Sequence, residues 1–403
     1  MIRLINPTQP YLWGSVKAIP GFLGMPATFA PVAESWMGAH RSAPSRVVAG
    51  DGEAGLDEIL AADADLLLGP DVVARFGPSL PYLLKLIAAE TPLSLQVHPN
   101  LAQARAGHAA EDAAGIPAEA PHRNYRDNNH KPELVYALTP FEAICGFRAP
   151  RRAAELFAGL DAPLARKLHA VLAADPSADG IRAVFTQLLE AGTRPTPDEV
   201  REIAEACAKR LADGSPSLRA DRIVVALEAA YPGDPGVVTS LLLNPVTLQP
   251  GEAMFVPAGG VHAYLHGFGV ELMASSDNVL RAGLTPKHID VAELLRNVDY
   301  VAAPPIRIAP EIVNGVTRMF YAPVDDFELS VTSIADGDVH PLPGRGPRIL
   351  LCLDGQLTFS WAGPAGTGPK ALELRRGQSA FAPASDGSLT VRGTGTVVQA
   401  DVP

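Results

Sequence analysis

Between about residues 151 and 231, apolar side chains recur at three- and four-residue spacing, the repeat of one face of a helix. The runs 152–172, 180–191, 198–212 and 220–230 read as helices. The second opens just after Ser177 and Asp179. The third follows Thr196-Pro197-Asp198-Glu199, a capping-box arrangement with proline at the first helical position. The last stops at the breaker Tyr231-Pro232-Gly233-Asp234-Pro235-Gly236. These residues predict an all-helical module inserted into a β framework.

The flanking segments have a different pattern. Up to about residue 150, short apolar stretches are broken by proline and glycine, with helix-like segments at 56–62 and 82–90. Residues 92–99 alternate as a strand does, with Leu93, Leu95 and Val97 on one side and Ser94, Gln96 and His98 on the other. Such a strand lines something polar. After Gly236 the stretches 237–244, 246–248, 253–256, 262–265 and 270–274 read as short strands. A helix at 290–297 follows, and from about residue 300 short strands run to the end.

One motif occurs twice. TLQPGEAMFVPAG at 247–259 and ELRRGQSAFAPAS at 373–385 align Leu248 with Leu374, Gly251 with Gly377, Phe255 with Phe381, Pro257 with Pro383 and Ala258 with Ala384. Strand, glycine turn, strand, proline turn is the unit of a jelly-roll barrel. The first copy continues to His262, where the second has Ser388. One barrel is therefore expected to carry chemistry and the other only structure.

Composition narrows the partners. At roughly 100–200 residues per domain, 403 residues allow two to four domains, or fewer if one is a large β structure. With 33 basic against 44 acidic residues the net charge is −11, which argues against a broad electrostatic grip on nucleic acid or anionic lipid. A phosphorylated ligand must then be held by a local cluster of Lys and Arg. Cys145, Cys207 and Cys352 are widely spaced with no CxxC pair, against a disulfide framework or thiolate zinc site and in favour of a reducing compartment. The first residues lack the basic and apolar regions of a signal peptide, and no apolar run approaches 18 residues. A soluble, cytoplasmic protein is expected.

Four residues have the character of ligands for a divalent cation. Gln96 and His98 share a strand face, Glu133 ends the block Asn128-Asn129-His130-Lys131-Pro132-Glu133, and His262 follows the Pro-Ala-Gly-Gly turn of the first repeat. Imidazole nitrogens with carboxylate and amide oxygens suit zinc, and also iron, manganese or nickel, and leave a position open for water or substrate. Beyond His262 come Tyr264, Glu271 and the polar run from Ser275 to Lys287. In that run Arg281 offers a fork of donors to an enolate or phosphate oxygen, and Lys287 a compact cation for phosphate.

Taken together, Ser94-Leu95-Gln96-Val97-His98-Pro99, His130-Lys131-Pro132-Glu133, Pro257-Ala258-Gly259-Gly260-Val261-His262-Ala263-Tyr264 and the block from Ser276 to Lys287 resemble type I mannose-6-phosphate isomerase (phosphomannose isomerase). Tyr11-Leu12-Trp13-Gly14 and Glu34-Ser35-Trp36-Met37-Gly38 fit as well.

The resemblance implies a mainly β protein of two cupin-like jelly-roll barrels plus the all-helical module. Its expected boundaries are 1–150 with 236–310 for the catalytic unit, 151–235 for the insertion and 311–403 for a second barrel without metal. It further implies a zinc enzyme, one ion per chain, interconverting mannose 6-phosphate and fructose 6-phosphate. Gln96, His98, Glu133 and His262 would be the ligands, Arg281 the active-site arginine, and Lys131 and Asp277 would lie in the catalytic pocket. Ser94 and Lys287 would hold phosphate, with Tyr264 among the substrate-binding residues. Proton transfer through a cis-enediol(ate) needs an oxyanion stabiliser, either the cation or Arg281, and a base. Lys131 and Glu271 rank ahead of Asp277 and His130 as the base. Two other readings compete: an iron-dependent cupin oxygenase and a non-catalytic sugar-phosphate binding module. The expected partner is a small sugar phosphate, with no nucleic acid or membrane, and the chain is expected to act as a monomer.

Overall fold

The computed structural model describes residues 1–26, 29–49, 52–335, 337–363 and 368–403. Its first β assembly includes β1 (Glu34–Met37), β2 (Tyr82–Ala89), β3 (Leu95–Val97), β4 (Glu133–Ala137), β5 (Phe141–Phe147), β6 (Leu243–Leu248), β7 (Ala253–Val256), β8 (His262–Ala274) and β9 (Leu280–Gly283). The long strand β8 organises it. From Gly267 to Ala274 it pairs antiparallel with β2, and from Gly269 to Met273 with β4 on its other side. Its first residues instead pair with β5, and His262 stands opposite Gln96 of β3.

The pairing with β5 shifts register between Tyr264 and His266, where β8 passes from one leaf to the other. Gly267 sits at this bend with φ 135°, and a Cβ there would lie 2.8 Å from Phe141, so only glycine fits. Between the leaves Ile87, Val135, Phe141, Leu248, Met254 and Tyr264 form one apolar cluster.

Residues 82–89 are strand, not helix. All eight positions of β2 are buried, and a strand covered on both faces shows a continuous apolar run with no alternation to distinguish it from a buried helix. The correction matters because Lys85 then stands in the middle of a sheet. Residues 237–244 also differ from expectation. Asp234 caps a short helix, Pro235–Thr239, by accepting from the Gly236 amide at 2.7 Å; a 3₁₀ turn follows, and the strand begins only at Leu243. The cap and the proline at the first helical position outweigh the β preference of Val237 and Val238. The stretches 262–265 and 270–274 are two parts of the single strand β8.

The helical block consists of α1 (Pro150–Ala158), α2 (Pro163–Ala174), α3 (Ala178–Leu189), α4 (Pro197–Ala212) and α5 (Leu218–Ala230). The run 152–172 is divided, since Pro163 starts a new helix. Ser177 caps α3, and Thr196 with Glu199 closes the capping box of α4. Apolar residues of the block, among them Phe157, Leu168, Phe185 and Ile203, form one cluster with Phe147, Ala263 and Leu280. The helices thus cover the outer side of the leaf that carries His262.

The second assembly contains β10 (Glu328–Ile334), β11 (Arg348–Trp361), β12 (Lys370–Arg375), β13 (Ser379–Ala382) and β14 (Thr390–Asp401). Here β14 lies between β10 and β11. The N-terminal strand Ile2–Leu4 adds to β13, so the start of the chain belongs to this later sheet. The repeated motif is structural: β6–β7 and β12–β13 each turn at a glycine with positive φ, Gly251 at 90° and Gly377 at 80°. The two assemblies share an apolar cluster that includes Leu84, Leu86, Leu329, Ile349 and Val398. At the seam the Tyr82 hydroxyl lies 2.9 Å from the Pro347 carbonyl and 3.0 Å from that of Ala400. Among the described residues no helix is long and apolar enough to cross a membrane.

Candidate metal centre

Three segments of the first assembly meet at one place. His98 follows β3, Glu133 begins β4 and His262 begins β8. A ligand atom from each lies within 4.8 Å of the other two, and this is the one such group of His, Cys, Asp and Glu among the described residues. All three are buried, with exposures of 0%, 1% and 0%. His98 Nδ1 lies 2.8 Å from the Asn278 carbonyl and His262 Nδ1 3.0 Å from the Gly260 carbonyl. A carbonyl only accepts, so each Nδ1 carries the proton and each Nε2 holds a lone pair. Those two Nε2 atoms have no hydrogen-bond donor. They face Glu133 at 3.2 and 3.5 Å.

Lone pairs aimed at a carboxylate in a dry site repel it unless a cation stands between. Burial, and next the charge of Lys131, push His98 down to about 4, so protonating the imidazole is not the remedy near neutral pH. For Glu133 burial opposes ionisation, but the charge of Lys131 leads the influences that outweigh it and hold its carboxyl well below the usual range. The donor set and its outer support, with a backbone carbonyl on each imidazole, fit a divalent cation of the zinc class.

The surroundings reinforce that fit. Lys131 Nζ is 2.7 Å from Glu133 Oε1, and the Tyr264 hydroxyl donates to Glu133 Oε2 at 3.3 Å. Tyr264 is 1% exposed and supports the carboxylate at Oε2, the oxygen opposite the one that Lys131 Nζ holds. Nearby lies a buried network of which sequence reasoning gave a role to Glu271 alone. Lys85 Nζ stands 3.7 Å from Glu34 and 3.5 Å from Glu271, over the Trp36 ring at 4.8 Å, while Trp36 donates to Glu34 at 2.7 Å. Burial works against the Lys85 charge, but Glu34 and then Glu271 raise its pKa above the ordinary value. Burial, followed by the charge of Glu133, pushes Glu271 up to about 7. Glu34, Glu133 and Glu271 outnumber Lys85 and Lys131 among these buried groups, which leaves a deficit of positive charge for a bound cation to fill.

Gln96 and Arg281 are placed by register. Gln96 stands opposite His262 on one side and Arg281 on the other; residues directly opposite in a ladder share a face, so all three point the same way. Ser94 is half-buried and, by alternation, on the Gln96 side of the chain. Asp277 lies further out, 3.4 Å from His40, and His130 is turned toward Asp326 at 2.9 Å. Lys287 is exposed on the loop after β9.

Asn278 ties these parts together. Fully buried, its side chain accepts from the Arg126 amide and donates to the carbonyls of Asp127 and Asn129, while its own carbonyl orients His98. Asp234 pins the loop beyond Arg281 by accepting from the Leu284 amide at 3.0 Å. That contact holds Leu284 at φ 53°, a strained conformation for a branched side chain.

A β-rich metal-centre protein, with two histidines and a glutamate beside a basic loop, is the class that this fold and site define. Residues 1–150 match the model of the phosphomannose isomerase type I catalytic domain. The chain is 40% identical to the mannose-6-phosphate isomerase of Escherichia coli (strain K12) across 99% of both chains, and 34% identical to mannose-6-phosphate isomerase 2 of Arabidopsis thaliana across 92% of this chain and 83% of that one. It superimposes on a crystal structure of zinc-bound mannose 6-phosphate isomerase with TM-score 0.87 and 37% identity, covering 99% and 98% of the two chains. The chain belongs to the type I phosphomannose isomerase family.

Proposed function

We propose that this chain interconverts D-mannose 6-phosphate and D-fructose 6-phosphate with one zinc ion per chain. The observation that carries the reading is the pair of donor-free imidazole Nε2 atoms converging on Glu133, next to a strand that turns Arg281 toward the same side. Gln96, His98, Glu133 and His262 would hold the ion, which would supply positive charge to the reacting oxygens of the opened sugar.

The chain's own groups divide the remaining work. The Arg281 guanidinium binds the oxyanion that develops as the proton leaves, which favours a cis-enediol(ate). Glu271 is assigned as the base that moves the proton between C1 and C2. It is buried beside the centre and poised to about 7, where a carboxylate is both ionised enough and basic enough to act. Lys131 steadies Glu133, and Tyr264 does so at its other oxygen. Lys287 and Ser94 hold the phosphate and set the register of the sugar. Asp277 positions His40 at the rim.

The architecture belongs to the same proposal. A catalytic cupin-like jelly roll is built from 1–150 and 236–310, the helical insertion spans 151–235, and a second roll without metal covers 311–403 and takes in strand Ile2–Leu4. The three buried free thiols suit a reducing compartment such as the cytoplasm, and the chain is assigned to act as a monomer. A coupled assay that detects fructose 6-phosphate formed from mannose 6-phosphate tests the function. Turnover that follows zinc loading supports it; a folded, zinc-loaded sample with no turnover removes it.

A further inference from the structure

Two basic side chains of the segment that follows β8 lack a carboxylate partner among the described residues. Neither Arg281 nor Lys287 forms an ion pair among the described residues. Burial and then Arg126 lower the pKa of Arg281, and burial, Arg281 and Arg126 lower that of Lys287. These cations therefore press on one another, which disfavours their charged forms until an anion arrives.

Arg126 is placed there by more than its charge. Its amide donates to Asn278 Oδ1 at 2.7 Å, and its carbonyl accepts from Arg41 at 2.9 Å. The loop that carries it is thus fastened to the segment leading directly into Arg281. Among the described residues its guanidinium meets a carboxylate only at Glu119, 3.6 Å away on a side chain 90% exposed. A contact of that kind contributes little, so the guanidinium remains available to a stronger partner.

We propose that Arg126 is the third cation of a phosphate cradle formed with Arg281 and Lys287, and that it favours the dianionic form of the sugar phosphate. This rests on the isomerase reading above. A phosphate ester carries about −1.5 to −2 charges near neutral pH and offers three strong acceptor oxygens. A guanidinium can engage two of them at once, which a lone ammonium at Lys287 cannot.

The test uses zinc-loaded parent, R126A and R126K. KM and kcat for mannose 6-phosphate, competitive inhibition by inorganic phosphate and bound zinc are measured on each. R126A is expected to raise both KM and the phosphate inhibition constant about five- to tenfold, leaving kcat and zinc content unchanged, with R126K recovering part of the loss. KM and phosphate inhibition within twofold of the parent would overturn the proposal, as would a loss confined to kcat or zinc. If the parent itself fails to isomerise, the function falls. Calorimetric binding of inorganic phosphate to parent and R126A then decides the cradle separately, weaker binding to R126A supporting it and equal binding removing it.

Discussion

Tyr264→Phe takes one oxygen from the centre and little else. The ring keeps its edge contact with Phe141 at 5.2 Å and its tilted contact with His262 at 5.9 Å, so packing is preserved. The oxygen lost is the donor to Glu133 Oε2 at 3.3 Å, with both partners buried. Hydrogen bonds to charged groups contribute about 1.5–3 kcal/mol. At 3.3 Å this one is long for an O–H donor, which puts it near the lower bound, and about 1.5 kcal/mol corresponds to roughly a tenfold change in an equilibrium constant. Lys131 still holds the other carboxylate oxygen, so the carboxylate loosens without leaving. The expected result is zinc binding about tenfold weaker, in the range typical of removing an outer support, with KM for the sugar phosphate unchanged at saturating zinc. Competition with a chelator of known affinity measures the first quantity and steady-state kinetics the second. Unchanged zinc affinity with a raised KM would refute the reasoning, because Tyr264 would then be touching the sugar.

Three further outcomes follow from the same geometry. Arg281→Ala should lower kcat by about 10²–10³ with zinc retained; loss of zinc with an unimpaired rate in the reloaded enzyme would contradict its role. Glu271 acts as a base only when ionised, so kcat/KM should fall as pH drops through a limb at or below about 7. Bound zinc offsets the charge of Glu133, so the limb of the loaded enzyme lies on the lower side, and its survival in Glu271→Gln would move the base elsewhere. Asp401 is 1% exposed, its Oδ2 lacks a partner, and burial raises it to about 7. A folded pKa above the unfolded one means that stability declines as pH rises from about 4 to 7. Asp401→Asn should therefore be more stable than the parent by about 2 kcal/mol at pH 8, the gap closing toward pH 4; equal denaturation midpoints at pH 8 would show that the carboxylate is not strained.

How far the fold was legible depended on whether each signal was local. Thr196-Pro197-Asp198-Glu199 specifies a helix start through its own hydrogen bonds, and α4 begins there. The glycines of the repeat marked turns because each must adopt positive φ. Residues 82–89 misled because burial on both faces erases the period that separates strand from helix, and that burial comes from partners far along the chain. The same long-range pairing hid Lys85, a lone cation in an apolar run whose role exists only once β1 and β8 bring Glu34 and Glu271 to it. His98, Glu133 and His262 could be picked out because imidazoles and a carboxylate at turn and strand borders stand out chemically. Asn278 was quoted within a motif without a role, since the work of its carbonyl on His98 cannot be read from residue type. Arg126 lay two residues before Asn128-Asn129-His130 with nothing local to connect it to Arg281.

Metal titration of the apoprotein, with bound zinc and turnover of mannose 6-phosphate followed in the same samples, tests the central claim most directly. The account predicts that both rise together and level off at one ion per chain, and that His262→Ala does neither. Full turnover without metal, or one tightly bound ion in a folded chain that leaves mannose 6-phosphate untouched, would contradict it.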